Sequence, residues 1–179
     1  SFTVIIYWNS KYHLGYIYQK IRNGQYEHVW GHLVSSDLLH WTQLPDMITV
    51  KDGDIEKGIF SGGTFISKEG VPHLTYHGEG SSTNLIALSH HPDLEVWEKF
   101  KGNPVLSTPV PPDPMAGKYR AWDPEVWFDR EAGNYYMISG GRPAALFKSK
   151  DMLKWDYLGD FVNSKENKQK DFEDISCPD

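Results

Sequence analysis

The chain has 179 residues, 39% of them hydrophobic and 23% charged, a balance typical of folded globular domains and unlike that of disordered chains. Its net charge is −6 and its basic residues are dispersed, which argues against a nucleic-acid partner, and no apolar run approaches the ~20 residues needed to span a bilayer. One cysteine, Cys177, leaves no internal disulfide and reads as a small buried residue.

The chain opens in an extended segment. "VIIYWNSKYHLGYIYQ", from Val4, is an apolar strand, a polar turn and a second, alternating strand. "HVWGHLVSS" reads as a third strand, and "SSDLLHWTQL" leads into a fourth. A polar loop, "TVKDGDIEKGIF", follows, and then the pattern restarts: "GTFISKEGVPHLTYHG" from Gly63, "NLIALSH", and "SHHPDLEVWEKF". The Pro-rich "LSTPVPPDPMAGKYRAW" breaks any strand. A third round begins with "PEVWFDREAGNYYMISGG" at Pro124 and continues through "AALFKSK" and "SKDMLKWDYL". "SKENKQKDFED" (164–174) is charged and reads as a loop or one helical turn.

Trp41, Trp97 and Trp155 mark the repeat, spaced 56 (41 to 97) and 58 (97 to 155) residues apart. Recurring once per unit, they are expected to pack the blades. Four short antiparallel strands at that interval predict an all-β fold, a β-propeller of four-stranded blades with long connecting loops. Blade 1 is expected at about 1–48, blade 2 at 58–105, blade 3 at 120–163, and the start of a fourth at 172–179. Propellers close with roughly four to eight blades. The chain therefore reads as part of a larger ring, cut at both ends, with bare sheet faces available for self-association.

In a propeller the first strand of each blade lines the central channel, so chemistry is expected just ahead of those strands. The stretches there are "FSGG" (60–63), "AWDP" (121–124) and "ISCPD" (175–179). Asp123 in "RAWDPEVWFD" fits two readings: a turn residue before proline, or a carboxylate at a sugar pocket.

"YHLGYIYQ", "WGHLVSSDLLHW", "GIFSGG", "WDPEVWFD" and "SCPD", in this order, resemble glycoside hydrolase family 32, the invertase, levanase and inulinase group. The resemblance implies a five-bladed propeller, of which this chain holds about three blades. It also implies retaining cleavage of fructosyl bonds, with one carboxylate as nucleophile and a second as acid and base about 5–5.5 Å away. A third, in an Arg-Asp-Pro motif, holds sugar hydroxyls. Carried over, Asp123 is the transition-state stabiliser, and Trp122 replaces the arginine, putting a flat apolar plate where a cation would grip oxygen. Ser1 falls where the nucleophile stands, and Ser176 replaces the acid/base glutamate of Glu-Cys-Pro-Asp. Asp174, two residues earlier, shares the face of Ser176 on an extended strand and is the candidate substitute acid; Glu173 faces away. Gln19, Trp30, Phe60, Ser61, Trp122 and Ser176 are the expected sugar contacts, with Gly62 and Gly63 admitting close backbone approach.

His32, His40, His73 and His77 show no recurring metal-ligand spacing, so neither metal nor cofactor is expected. The partner is expected to be carbohydrate. The readings are a fructosyl or related furanosyl hydrolase whose isolated 179-residue chain is inactive, a carbohydrate-binding propeller that has lost its acid, and an interaction propeller without a sugar site; the ordered motifs weigh against the last.

Overall fold

The computed structural model describes residues 3–162, 175 and 177. Three antiparallel sheets follow one another along the chain. The first contains β1 (Thr3–Trp8), β2 (Lys11–Arg22), β3 (Gln25–Ser35) and β4 (Thr42–Ile48), in that order. The second contains β5 (Thr64–Ile66), β6 (Pro72–Gly78), β7 (Thr83–Leu88) and β8 (Glu98–Lys99). A fifth strand, β9 (Leu106–Ser107), pairs with the free end of β7. The third sheet contains β10 (Pro124–Asp129), β11 (Asn134–Ser139), β12 (Ala145–Ser149) and β13 (Asp156–Asp160). The sequence reads residues 106–122 as loop throughout. β9 corrects that reading, because Leu106 and Ser107 pair with Asn84 and Thr83 before the prolines begin.

Local chemistry explains the hairpins. Asn9 and Ser10 join β1 to β2, and Asn23 and Gly24 join β2 to β3, all four at positive φ. That conformation matches the right-handed strand twist and favours Asn and Gly. Between β2 and β3 the register runs from Tyr12↔Ser35 to Arg22↔Gln25 without a break.

The sheets stack face to face through two cores. Val4, Trp30, Met47, Ile59, Leu74 and Leu85 form one between the first and second sheets. Phe65, Ile86, Val126, Tyr135, Met137 and Phe147 form the other between the second and third. Each such side chain contributes roughly 1.5–3 kcal/mol on burial.

A repeated turn closes the outer edge of the blades. In the first, Ser35 Oγ accepts from the Leu38 amide (2.9 Å), Asp37 Oδ1 accepts from those of Leu39 and His40, and Trp41 Nε1 donates to the Leu38 carbonyl (3.1 Å). In the third, Ser149, Asp151, Met152 and Trp155 make the same bonds. Leu38 and Met152 both sit at φ 65°. Trp97 and Trp155 pack against the cores as expected of blade-packing residues, whereas Trp41 belongs to neither core and serves its own turn.

The first strands, β1, β5 and β10, run side by side. Residues 59–63 extend β5 along β6: Phe60 N donates to the His77 carbonyl and His77 N to that of Ser61, both at 2.9 Å. This extension carries "FSGG" to the end of the sheets where "WDP" arrives. Gly62 permits it, since a Cβ there would lie 1.9 Å from the Thr75 carbonyl oxygen. At Gly63 a Cβ would meet the Glu125 carboxylate of β10 at 1.7 Å. Beyond the third sheet, Ile175 pairs with Gly141. Ser1, Glu173, Asp174 and Ser176, like residues 164–174 as a whole, lie outside the described residues. Among the described residues no helix is long and apolar enough to cross a membrane.

Candidate functional site

At this convergent end lies a cavity of about 430 Å³. Ile17, Tyr18 and Gln19 of β2 line it, with His28 of β3, Phe60 and Ser61 ahead of β5, and Trp122 and Asp123 ahead of β10. Each sheet therefore supplies one sector of the wall.

Asp123 is 6% exposed. Its backbone carbonyl accepts from Gly140 N (2.8 Å), which fixes the residue against the end of β11. Its Oδ2 accepts from the Cys177 thiol at 2.9 Å. Cys177 is thus not the inert buried residue the sequence suggests: it is half-buried, and its sulfur meets the cavity carboxylate. The Ile175–Gly141 pairing holds this stretch beside the third sheet.

The opposite wall is a relay. His28 donates through Nδ1 to Glu79 Oε2 (3.0 Å), which leaves its Nε2 to accept from the Gln19 amide (3.1 Å). Gln19 thereby has a fixed orientation. Tyr18 donates to Asp46 at 2.9 Å. Burial, then this bond, pushes its phenol up to about 12, so it stays a donor.

Aromatic rings connect the two walls. His28 and Phe60 are 5.0 Å apart between centroids, Phe60 and His77 6.1 Å, and His77 and Trp122 4.6 Å. His77 is buried, and burial brings its imidazole down to about 4, the nearby Arg120 charge acting in the same direction. The Arg120 guanidinium lies 3.6 Å from the Trp122 ring centroid. The Trp122 plate therefore carries a cation over its ring.

The profile described as "Glycosyl hydrolases family 32 N-terminal domain" matches residues 3–179. The chain belongs to glycosyl hydrolase family 32. It is 29% identical to levanase from Bacillus subtilis over 189 residues, covering 98% of this chain and 26% of the levanase. It is 33% identical to fructan 1-exohydrolase from Hordeum vulgare over 164 residues, covering 84% of this chain and 26% of that enzyme. Among solved structures, the Bombyx mori β-fructofuranosidase, as a variant in complex with sucrose, matches with TM-score 0.65 and 26% identity, covering 89% of this chain and 35% of that one. The chain thus spans about a quarter of the two curated relatives. These relatives are fructosidases on a propeller, and the three sheets here are blades of that family 32 fold.

Within this family 32 domain, the structure brings Gln19, Phe60, Ser61, Trp122 and Asp123 to one cavity. Trp30 is placed elsewhere. It is 2% exposed and lies in the core between the first two sheets, donating from Nε1 to the Phe60 carbonyl at 3.0 Å. Its size is spent on supporting "FSGG" from beneath, with its ring over Gly15. Sequence reasoning missed His28, Tyr18 and Glu79. His28 alternates with Trp30 along one strand, but its tie to Glu79 spans 51 residues and leaves no local trace. It also missed Glu125, a half-buried carboxylate on β10 against Gly63. Among the described residues no cluster of three or more His, Cys, Asp or Glu is arranged to hold a metal.

Proposed function

We propose that this domain forms the fructosyl-binding half of a retaining glycosidase pocket, with Asp123 holding sugar hydroxyls and steadying charge in the transition state. The observation that carries the reading is the meeting of Gln19, Phe60, Ser61 and Asp123, drawn from three blades, around one cavity. The curated relatives support fructosyl bonds as the substrate class. Gln19, locked by His28, offers a directed amide, and Ser61 a hydroxyl. Phe60 gives the apolar wall that a sugar's C–H face needs.

Asp123 cannot act alone. Retaining hydrolysis needs a nucleophile and an acid/base about 5–5.5 Å apart. Among the described residues lining the cavity, Asp123 is the one acid. The 179-residue chain by itself is therefore expected to turn over no fructoside. In the full-length protein, Asp174 is our candidate for the acid that Ser176 cannot provide, and Ser176 is a candidate sugar contact. A second reading, a propeller that binds carbohydrate without cleaving it, is favoured by the serine at 176.

The test is the full-length protein with sucrose, inulin and levan. Turnover that falls ~10²–10³-fold in Asp123→Asn, the size of loss typical when one transition-state contact is removed, supports the hydrolase. Binding without turnover supports the second reading. Neither binding nor turnover on any of the three overturns both.

A further inference from the structure

We propose that Arg120 is a carbohydrate-binding residue of this pocket: its guanidinium, held over the Trp122 ring, donates hydrogen bonds to sugar oxygens at the cavity mouth. The proposal rests on the reading of the cavity as a sugar site and adds to it a residue that neither the motif nor the cavity wall contains.

Arg120 is exposed, and an exposed arginine ordinarily wanders among rotamers. This one is anchored twice. Its guanidinium carbon stands 3.6 Å from the Trp122 ring centroid, within cation–π range. Its backbone is clamped by Ser139, which is fully buried. Ser139 Oγ donates to the Arg120 carbonyl (3.2 Å) and accepts from Trp122 N (3.0 Å) and from the Asn84 amide (3.0 Å). One satisfied hydroxyl thus fixes both ends of the Arg120–Trp122 stretch.

Buried His77 also packs against Trp122, with ring centroids 4.6 Å apart, so the indole that carries Arg120 is itself held in place. Beside the cavity the site thus offers a planar guanidinium fork, with five N–H donors and no acceptor. Among the described residues no carboxylate forms an ion pair with it, so those donors are available to a ligand. Asp123, three residues on, is an acceptor inside the cavity. A donor fork and an acceptor carboxylate on either side of one indole suit a ring carrying several hydroxyls.

The experiment is calorimetric titration of the full-length protein with sucrose and with inulin oligosaccharides, for the parent, Arg120→Ala and Arg120→Lys. The alanine variant is expected to bind at least tenfold more weakly. Lysine, which keeps charge but loses the planar fork, is expected to lose several-fold and keeps the proposal testable should the alanine variant fold poorly. In a double cycle, Arg120→Ala in a Trp122→Leu background is expected to add little, since the mount is already gone. Parent-like affinity in Arg120→Ala and Arg120→Lys overturns the assignment and leaves the sugar site standing. A parent protein that binds neither sugar defeats the sugar site itself, and Arg120's role with it.

Discussion

The outer turns and the axial ends of the blades obey different rules. At the outer edge, Ser35-Asp37-Leu38-Trp41 and Ser149-Asp151-Met152-Trp155 repeat bond for bond, down to the same φ of 65° at the fourth residue. At the axial end, the stretches ahead of β5 and β10 share a place in the blade but no residue pattern: "FSGG" against "AWDP". The outer turns are held by bonds within a few residues of one another, so one backbone solution serves both the first and the third blade. Each axial stretch meets a different neighbour, Thr75 behind Gly62, Gly140 behind Asp123, and so each has its own answer. Repetition here marks architecture, and its loss marks the site.

The largest stability effect should fall at the axial end. In Gly62→Ala the new methyl would meet a backbone carbonyl of β6, which cannot swing aside as a side chain can. We expect a loss of at least about 3 kcal/mol in urea unfolding, at the upper end for overpacking. A near-parental unfolding midpoint would break the contrast, since it would mean the axial backbone yields easily.

The outer turn gives a smaller pair of effects with opposite signs. Leu38 and Met152 share one strained φ, but Leu38 is 47% exposed and Met152 7%. Glycine relieves about 1 kcal/mol of left-handed strain at either position, while the buried methionine forfeits roughly 1.5–3 kcal/mol of apolar burial. Leu38→Gly is therefore expected to raise the melting temperature slightly and Met152→Gly to lower it. Equal shifts would show that backbone geometry, and not side-chain packing, keeps the turn.

The weakest lever is pH, and the two regions answer in different windows. His77 of the axial wall sits at about 4 when folded against 6.5 when free, so the unfolded chain takes protons first and stability falls as pH drops from about 6.5 towards 4. Burial is the leading cause. In the outer turns, hydrogen bonds hold Asp37 and Asp151 below the usual carboxylate value of 3.8. Their contribution is present above that value and is lost as pH falls below it. Denaturant midpoints measured from pH 7 to 3 should show both declines. Asp37→Asn with Asp151→Asn should flatten only the lower one; a change in the upper window would mean the regions are coupled.

The blades were legible because strand alternation, polar turns such as Asn-Ser-Lys and the recurring Asp-Leu-x-x-Trp segment are local signals. The convergence of Phe60, Ser61 and Asp123 was legible at one remove, since a known repeat says which end of each blade shares an axis. Trp30 was misplaced because an aromatic on a strand looks the same whether it lines a cavity or supports one. Only the bond from its indole to the Phe60 carbonyl decides.

By itself, then, the sequence determined the strand order, the repeat and which stretches lie just ahead of the first strands, because periodicity and turn propensity act within a few residues. Tertiary structure alone decided that Cys177 touches Asp123, that Glu79 orients Gln19 through His28, and that Arg120 lies over Trp122. The first two link residues from different blades, and the third depends on how Trp122 is packed against His77 of another blade. These contacts form only when whole blades pack, so no pattern of neighbouring residues announces them.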